Sequence, residues 1–127
     1  MNGFLLVALG GAIGASLRYG VGLAFTQQAG VSGAWATLCV NLVGSFCLGV
    51  LLSWVSSRDL ALDHALWLFF GIGMMGAFTT FSAFSKDAMD LLMTGEVLKG
   101  TIYIGLNLIG ALSAFAVGLL AARRLLA

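Results

Sequence analysis

GAFTTFSAFS, residues 76–85, sets glycine against hydroxyl side chains inside an apolar run. Gly71, Gly73 and Gly76 lead into it, and Thr79, Thr80, Ser82 and Ser85 follow. Glycine loosens the backbone, and Ser and Thr hydroxyls compete for its hydrogen bonds. The surrounding segment, 64–85, is apolar for about the 20 residues that a helix needs to climb a bilayer core of about 30 Å. A membrane helix is therefore expected here, interrupted near Gly76–Thr80. In hydrocarbon, an interruption is tolerated only where the freed carbonyls face protein, water or an ion. The interruption is expected to be a site, or to line one.

Three more runs of similar length flank it, at 3–26, 33–56 and 100–122. Arg18 is the only charge in the first, and the others carry none. The acidic residues Asp59, Asp63, Asp87, Asp90 and Glu96 are assigned to the short segments outside the runs, and the single histidine, His64, sits at an edge. Hydrophobic residues make up 61% of the chain and charged residues 9%, with a mean hydropathy of +1.07. A soluble domain carries about 25% charge, so most of this surface has to meet lipid. The period-2 alternation of a barrel strand is absent. The expectation is an all-α membrane protein, one domain over 1–127 with four helical spans, the third broken near 76–80. The first run begins at Gly3 without a basic lead and outlasts a signal-peptide core, so it is expected to be a retained span.

Other classes fall away on composition. A net charge of +1, with no basic run or acidic tail, offers nothing to nucleic acid. Cys39 and Cys47 lie in an apolar run with no His, Asp or Glu beside them, and are expected to be packed thiols. No Ser-His-Asp, Cys-His or metal-ligand cluster is legible, so no enzyme is expected. No run holds Asp, Glu or Lys, the relay that a proton-coupled transporter needs. Passive permeation is the reading that remains.

Charge also bears on orientation. With four spans the termini share a side, which then holds Arg58, Arg123 and Arg124 against Lys86 and Lys99 opposite, with Arg18 nearer that opposite end. Such a balance leaves the positive-inside rule little to act on. Either the chain inserts both ways or a partner decides. Dual insertion permits an antiparallel homodimer, a two-chain version of the inverted repeats of transporters. The small-residue spacings Gly10/Gly14 and Ser45/Gly49 predict close helix packing.

Polar residues at membrane depth mark candidate positions. Asn41 and Asn107 lie near the middles of their spans, where an amide serves as interhelical glue or faces a cavity. Arg18 either snorkels to the interface or sits at the mouth of a vestibule that attracts anions. Tyr103, near a span end, is an interfacial anchor or a ligand. Phe81 and Phe84 share a helix face. Paired phenylalanines are commonly lipid-facing or core, but hydroxyls surround this pair. Aromatic ring edges are electropositive and can hold a small dehydrated anion without the full charge that would trap it.

These residues carry a resemblance. GGAIGASLRY at 10–19, ATLCVNLVGSF at 36–46 and GAFTTFSAFS at 76–85 together resemble the Fluc (CrcB) family of small fluoride channels over essentially the whole chain. The resemblance implies an antiparallel, dual-topology homodimer in the bacterial plasma (inner) membrane, with two pores through which fluoride leaves the cytoplasm passively. It implies a structural sodium ion at the dimer interface, held by backbone carbonyls at the positions matching Gly76 and Thr79, and no organic cofactor. Phe81, Phe84 and Asn41 match the pore residues, and Arg18 matches the vestibule cation. Ser82, Tyr103, Asn107 and Ser113 match polar positions of the third and fourth helices. The departures are Ala36 and Ala77 for glycine, Ala83 for a hydroxyl residue, and Asn107 at a variable position. None removes a carbonyl or a phenylalanine. The rival readings are a dual-topology multidrug antiporter, which depends on a first-span glutamate that this chain lacks, and a non-conducting membrane assembly subunit.

Overall fold

The structure, a computed structural model, describes residues 2–28, 32–61 and 63–126. These are helical almost throughout. Helix α1 spans Gly3–Leu23 and runs into a π-helical turn, Ala24–Gln28; α2 spans Gly33–Ser57. A π-helical segment, Trp67–Met75, leads into the short α3, Gly76–Phe78. Helix α4 spans Phe81–Met93 and α5 spans Val97–Leu126. Side chains open three of the helices: Asn2 accepts from Phe4 N, Ser32 from Ala34 N and Thr80 from Ala83 N, satisfying amide groups that a helix start leaves unpaired.

Four helical stretches are long and apolar enough to cross a membrane: Gly3–Gln27, Gly33–Ser57, Trp67–Met93 and Val97–Leu126. The chain is a multi-pass membrane protein. The helices associate in two parallel pairs. In one, α1 lies along the π-helical segment, and Gly14 faces the backbone carbonyl of Met74. In the other, α2 lies along α5, and Gly49 faces the carbonyl of Phe115. A Cβ at either position would overlap that oxygen, so both contacts are made by backbone. Lipid tails are as apolar as leucine, so such close packing replaces the hydrophobic drive available in water. Ser45, which the spacing paired with Gly49 in a helix seam, lines a cavity instead.

A small core joins α2, α4 and α5 through Ala34, Leu38, Phe84, Ala88 and Tyr103. Outside it, Leu5, Leu9, Ile13 and Leu17 form an exposed apolar stripe on α1, spaced as one helix face.

Two of the helices extend beyond the expected runs. The third span does not stop at Ser85, because α4 continues to Met93. Lys86, Asp87 and Asp90 are therefore helical rather than in a connecting segment, and Lys86 pairs with Asp90 at 2.6 Å one turn on, a spacing that supports a helix. The run 64–85 itself carries no Asp, Glu or Lys; these charges lie in the part of α4 beyond it. The fourth helix outruns 100–122 at both ends, taking Arg123 and Arg124 into its last turn, where cations offset the negative end of the helix dipole.

Candidate functional site

Between α3 and α4 two residues leave helical geometry. Thr79 has φ −77 and ψ 155, and Thr80 has φ −153 and ψ 118, both extended. Extended residues inside an apolar stretch leave backbone groups to satisfy. Asn41 on α2 satisfies those of Thr80: its Oδ1 accepts from Thr80 N at 2.8 Å, and its Nδ2 donates to Thr80 O at 3.1 Å. The amide thus imitates a neighbouring peptide. Its Nδ2 also donates to Asn107 Oδ1 at 2.9 Å, and Asn107 Nδ2 donates to Tyr103 O at 3.1 Å. Both donor hydrogens of Asn41 are engaged in this network.

A cavity of about 340 Å³ opens beside this junction, lined by Asn41, Ser45, Thr79, Phe81, Phe84 and Asn107 among others. The Phe81 and Phe84 ring centroids lie 5.1 Å apart, tilted by 57°. The two rings differ in setting: Phe81 is 70% exposed, whereas Phe84 is 6% exposed and faces Tyr103 at 5.8 Å between centroids. A second cavity of about 390 Å³ is lined by Arg18, Tyr19, Thr37 and Ala83. Thr80 lines both. The extended segment is thus the wall between an arginine-bearing compartment and an aromatic one.

Arg18 also serves this wall, with Nε donating to Ala77 O at 3.0 Å, a carbonyl at the end of α3. Below the rings, the carboxylate of Asp87 is only 15% exposed. Its Oδ2 accepts from Thr37 Oγ1 at 2.6 Å and from the Tyr103 hydroxyl at 3.4 Å, while Lys86 Nζ lies 3.5 Å from Oδ1.

The model of the family described as CrcB-like protein, Camphor Resistance (CrcB), matches residues 5–119. A relative from Hyphomonas neptunium is 46% identical over the whole length of both chains. One from Idiomarina loihiensis is 45% identical over 87% of this chain and 84% of its own, and one from Thermus thermophilus is 45% identical over 81% of each. Each of the three is called Fluoride-specific ion channel FluC. This chain belongs to the CrcB family.

The CrcB match spans every candidate residue, and the structure brings most of them together. Asn41, Thr79, Phe81, Phe84 and Asn107 share one cavity. For Asn41 and Asn107 the alternatives of glue and cavity lining coincide, because the two amides bridge helices while lining it. Tyr103 is 1% exposed and stacked beside Phe84, so it is a core residue rather than an interfacial anchor. Arg18 faces the other compartment. Ser82 is exposed and pairs with Thr80 Oγ1 at 3.2 Å, outside the lining of the aromatic cavity. Ser113 is exposed and lines none of the described cavities.

Gly76 is itself helical, with φ −61 and ψ −33. Its carbonyl still fits the role of a cation ligand. Thr80 N, the helical partner four residues on, donates to Asn41 instead. Thr79, with ψ 155, turns its own carbonyl off the helical track. Backbone carbonyls freed in this way are hard oxygen donors of the kind that hold alkali cations at unwound membrane helices.

Sequence reasoning missed Thr37, Ser45 and Asp87. Thr37 and Asp87 are fifty positions apart and meet only through tertiary packing. The hydroxyl of Thr37 sits one turn before Asn41 on the same helix face, which is the one signal that pointed to it.

Proposed function

We propose that this chain is a fluoride channel that lets cytoplasmic fluoride leave passively across the bacterial plasma membrane. The observation that carries the reading is the cavity in which Phe81, Phe84, Asn41 and Asn107 meet, in a chain whose relatives are called fluoride-specific channels. A small anion loses its hydration shell there against ring edges, which are weakly positive. Weak sites in succession permit both binding and departure. Since both Nδ2 hydrogens of Asn41 are engaged, the donors left for the anion are the second N–H of Asn107 and the Ser45 hydroxyl. Arg18 in the neighbouring compartment raises the local anion concentration without sitting between the rings. An inside-negative potential drives the anion outward with about 2.3 kcal/mol per charge per 100 mV.

The same reading takes the third helix as functionally broken at Thr79–Thr80, and the working unit as an antiparallel dual-topology homodimer with two pores. The near-even distribution of Arg and Lys supports dual insertion. A structural sodium ion between the two copies, held by the carbonyls of Gly76 and Thr79, would neutralise the carbonyl dipoles facing each other there.

Purified protein in liposomes tests this reading, with fluoride and chloride efflux measured under an imposed potential. Fluoride efflux far above chloride efflux is expected; no fluoride flux, or equal chloride flux, removes it. Reporters fused to the C-terminus are expected on both sides of the membrane, and a single orientation excludes the antiparallel pair.

A further inference from the structure

At the C-terminal ends of α2 and α5 lies a second polar feature, which shares no lining residue with the aromatic cavity. Ser53 is 2% exposed, and its Oγ is buried without a hydrogen-bond partner, the only such side-chain atom among the described residues. Leaving a buried hydroxyl unpaired is unfavourable, so its setting asks for an acceptor. Ser53 lines a cavity of about 320 Å³ with Ser56, Ser57 and Arg123. Ser57 Oγ already donates to Trp54 O at 2.8 Å. The donor-bearing residues left lining the cavity are therefore Ser53, Ser56 and Arg123, a set suited to an anionic oxygen group.

Beside it runs an apolar groove of about 500 Å³, walled by Phe46, Val50, Trp54, Leu125 and Leu126. Leu126 borders both spaces. Arg58 lies over the Trp54 ring at 5.4 Å. Arg58, Arg123 and Arg124 are half of the six basic residues, and among the described residues every ion pair belongs to Lys86 or Lys99 instead. Asp59 and Asp63 follow Arg58 at this end, so three arginines stand against two carboxylates, a small cationic excess with no arginine in an ion pair. The helix ends here present carbonyls, which oppose an anion, so the side chains have to supply the attraction.

We propose that this cavity and groove form a binding site for an anionic phospholipid. Its phosphate takes the hydroxyls of Ser53 and Ser56 and the Arg123 guanidinium, and its acyl chain lies along the groove beside Trp54. A zwitterionic lipid gains less, because its own cation competes for the phosphate. A free phosphate ion leaves the groove empty.

The full chain is titrated with phosphatidylglycerol and with phosphatidylcholine of the same acyl chains, and bound lipid is read by native mass spectrometry. One phosphatidylglycerol per chain is expected to bind about fivefold or more tightly than phosphatidylcholine, the effect of about one unshielded arginine at a membrane surface. Arg123→Gln is expected to erase that preference while leaving phosphatidylcholine uptake unchanged. Ser53→Ala, which removes no charge, is expected to weaken phosphatidylglycerol binding by up to about tenfold. Lys99→Gln, in the first turn of α5 at its other end, is expected to keep the preference. Equal uptake of both lipids overturns the proposal, as does an unaltered preference in Arg123→Gln or its loss in Lys99→Gln. Displacement of the lipid by millimolar inorganic phosphate overturns it too, because the site would then be one for a small anion.

Discussion

The side-chain amide of Asn41 grips the backbone of Thr80 from both sides, accepting from its N–H at 2.8 Å and donating to its carbonyl at 3.1 Å. Two residues thirty-nine positions apart thereby hold an extended segment that would otherwise leave peptide groups unpaired in an apolar setting. The role of Asn41 is thus to keep the wall between the two compartments in shape.

Asn41→Ala is expected to expose both Thr80 groups, at about 1–3 kcal/mol for each one left unsatisfied. Thermal unfolding in detergent should fall markedly and fluoride efflux should fall with it. Asn41→Asp keeps the acceptor for Thr80 N but loses both donated bonds, so it should lie between alanine and wild type in stability. A variant Asn41→Ala that melts and conducts like wild type contradicts the bracing role.

The two phenylalanines should separate by readout. Phe81 is exposed, so Phe81→Ile is expected to cut fluoride flux while leaving the melting temperature intact. Phe84 is buried against Tyr103, and Phe84→Ala is expected to lose about 3–5 kcal/mol of stability as well. Efflux and thermal melting of both variants, run together, decide this. Unaltered flux in Phe81→Ile counts against the ring-edge site.

Gly49→Val drives a side chain into the Phe115 carbonyl and should part α2 from α5. Overpacking of this kind costs about 1–3 kcal/mol. A lower folded yield and a lower melting temperature are expected. Valine at Gly20, where an added Cβ meets nothing within 4 Å, should be harmless by comparison.

Thr37→Val removes the 2.6 Å donor to Asp87 without changing the shape of the side chain. Hydrogen bonds to a charged group contribute about 1.5–3 kcal/mol, so a loss of that order is expected in unfolding experiments. Thr37→Ser keeps the hydroxyl and should recover most of it. Equal stability of all three proteins would show that Tyr103 and Lys86 alone suffice for the carboxylate.

Much of this molecule is legible in one dimension because lipid is a simple solvent. A helix crossing hydrocarbon has to be apolar for most of its length, so the four spans stand out in the chain, and Arg18, Asn41 and Asn107 stand out within them. The ends of the spans are less legible. Lys86, Asp87 and Asp90 look like a connecting segment until the helix is seen to continue beneath them, with ion pairs along α4 and a hydrogen bond from Thr37 on α2 to Asp87. The positions of Ser82 and Ser113 show the same limit, since a hydroxyl in a span does not say which way it faces.

From its own residues, then, the chain determines that it lives in a membrane, that it spans it with helices, and that glycine and hydroxyls loosen the stretch at 76–85. Hydropathy and backbone freedom are local properties, and sequence carries them directly. Only the tertiary structure decided that the departure from helix is confined to Thr79 and Thr80, that Asn41 satisfies Thr80, and that this segment parts two cavities. Those depend on which groups from α2, α4 and α5 come within hydrogen-bonding distance, a matter of packing between residues far apart in the chain.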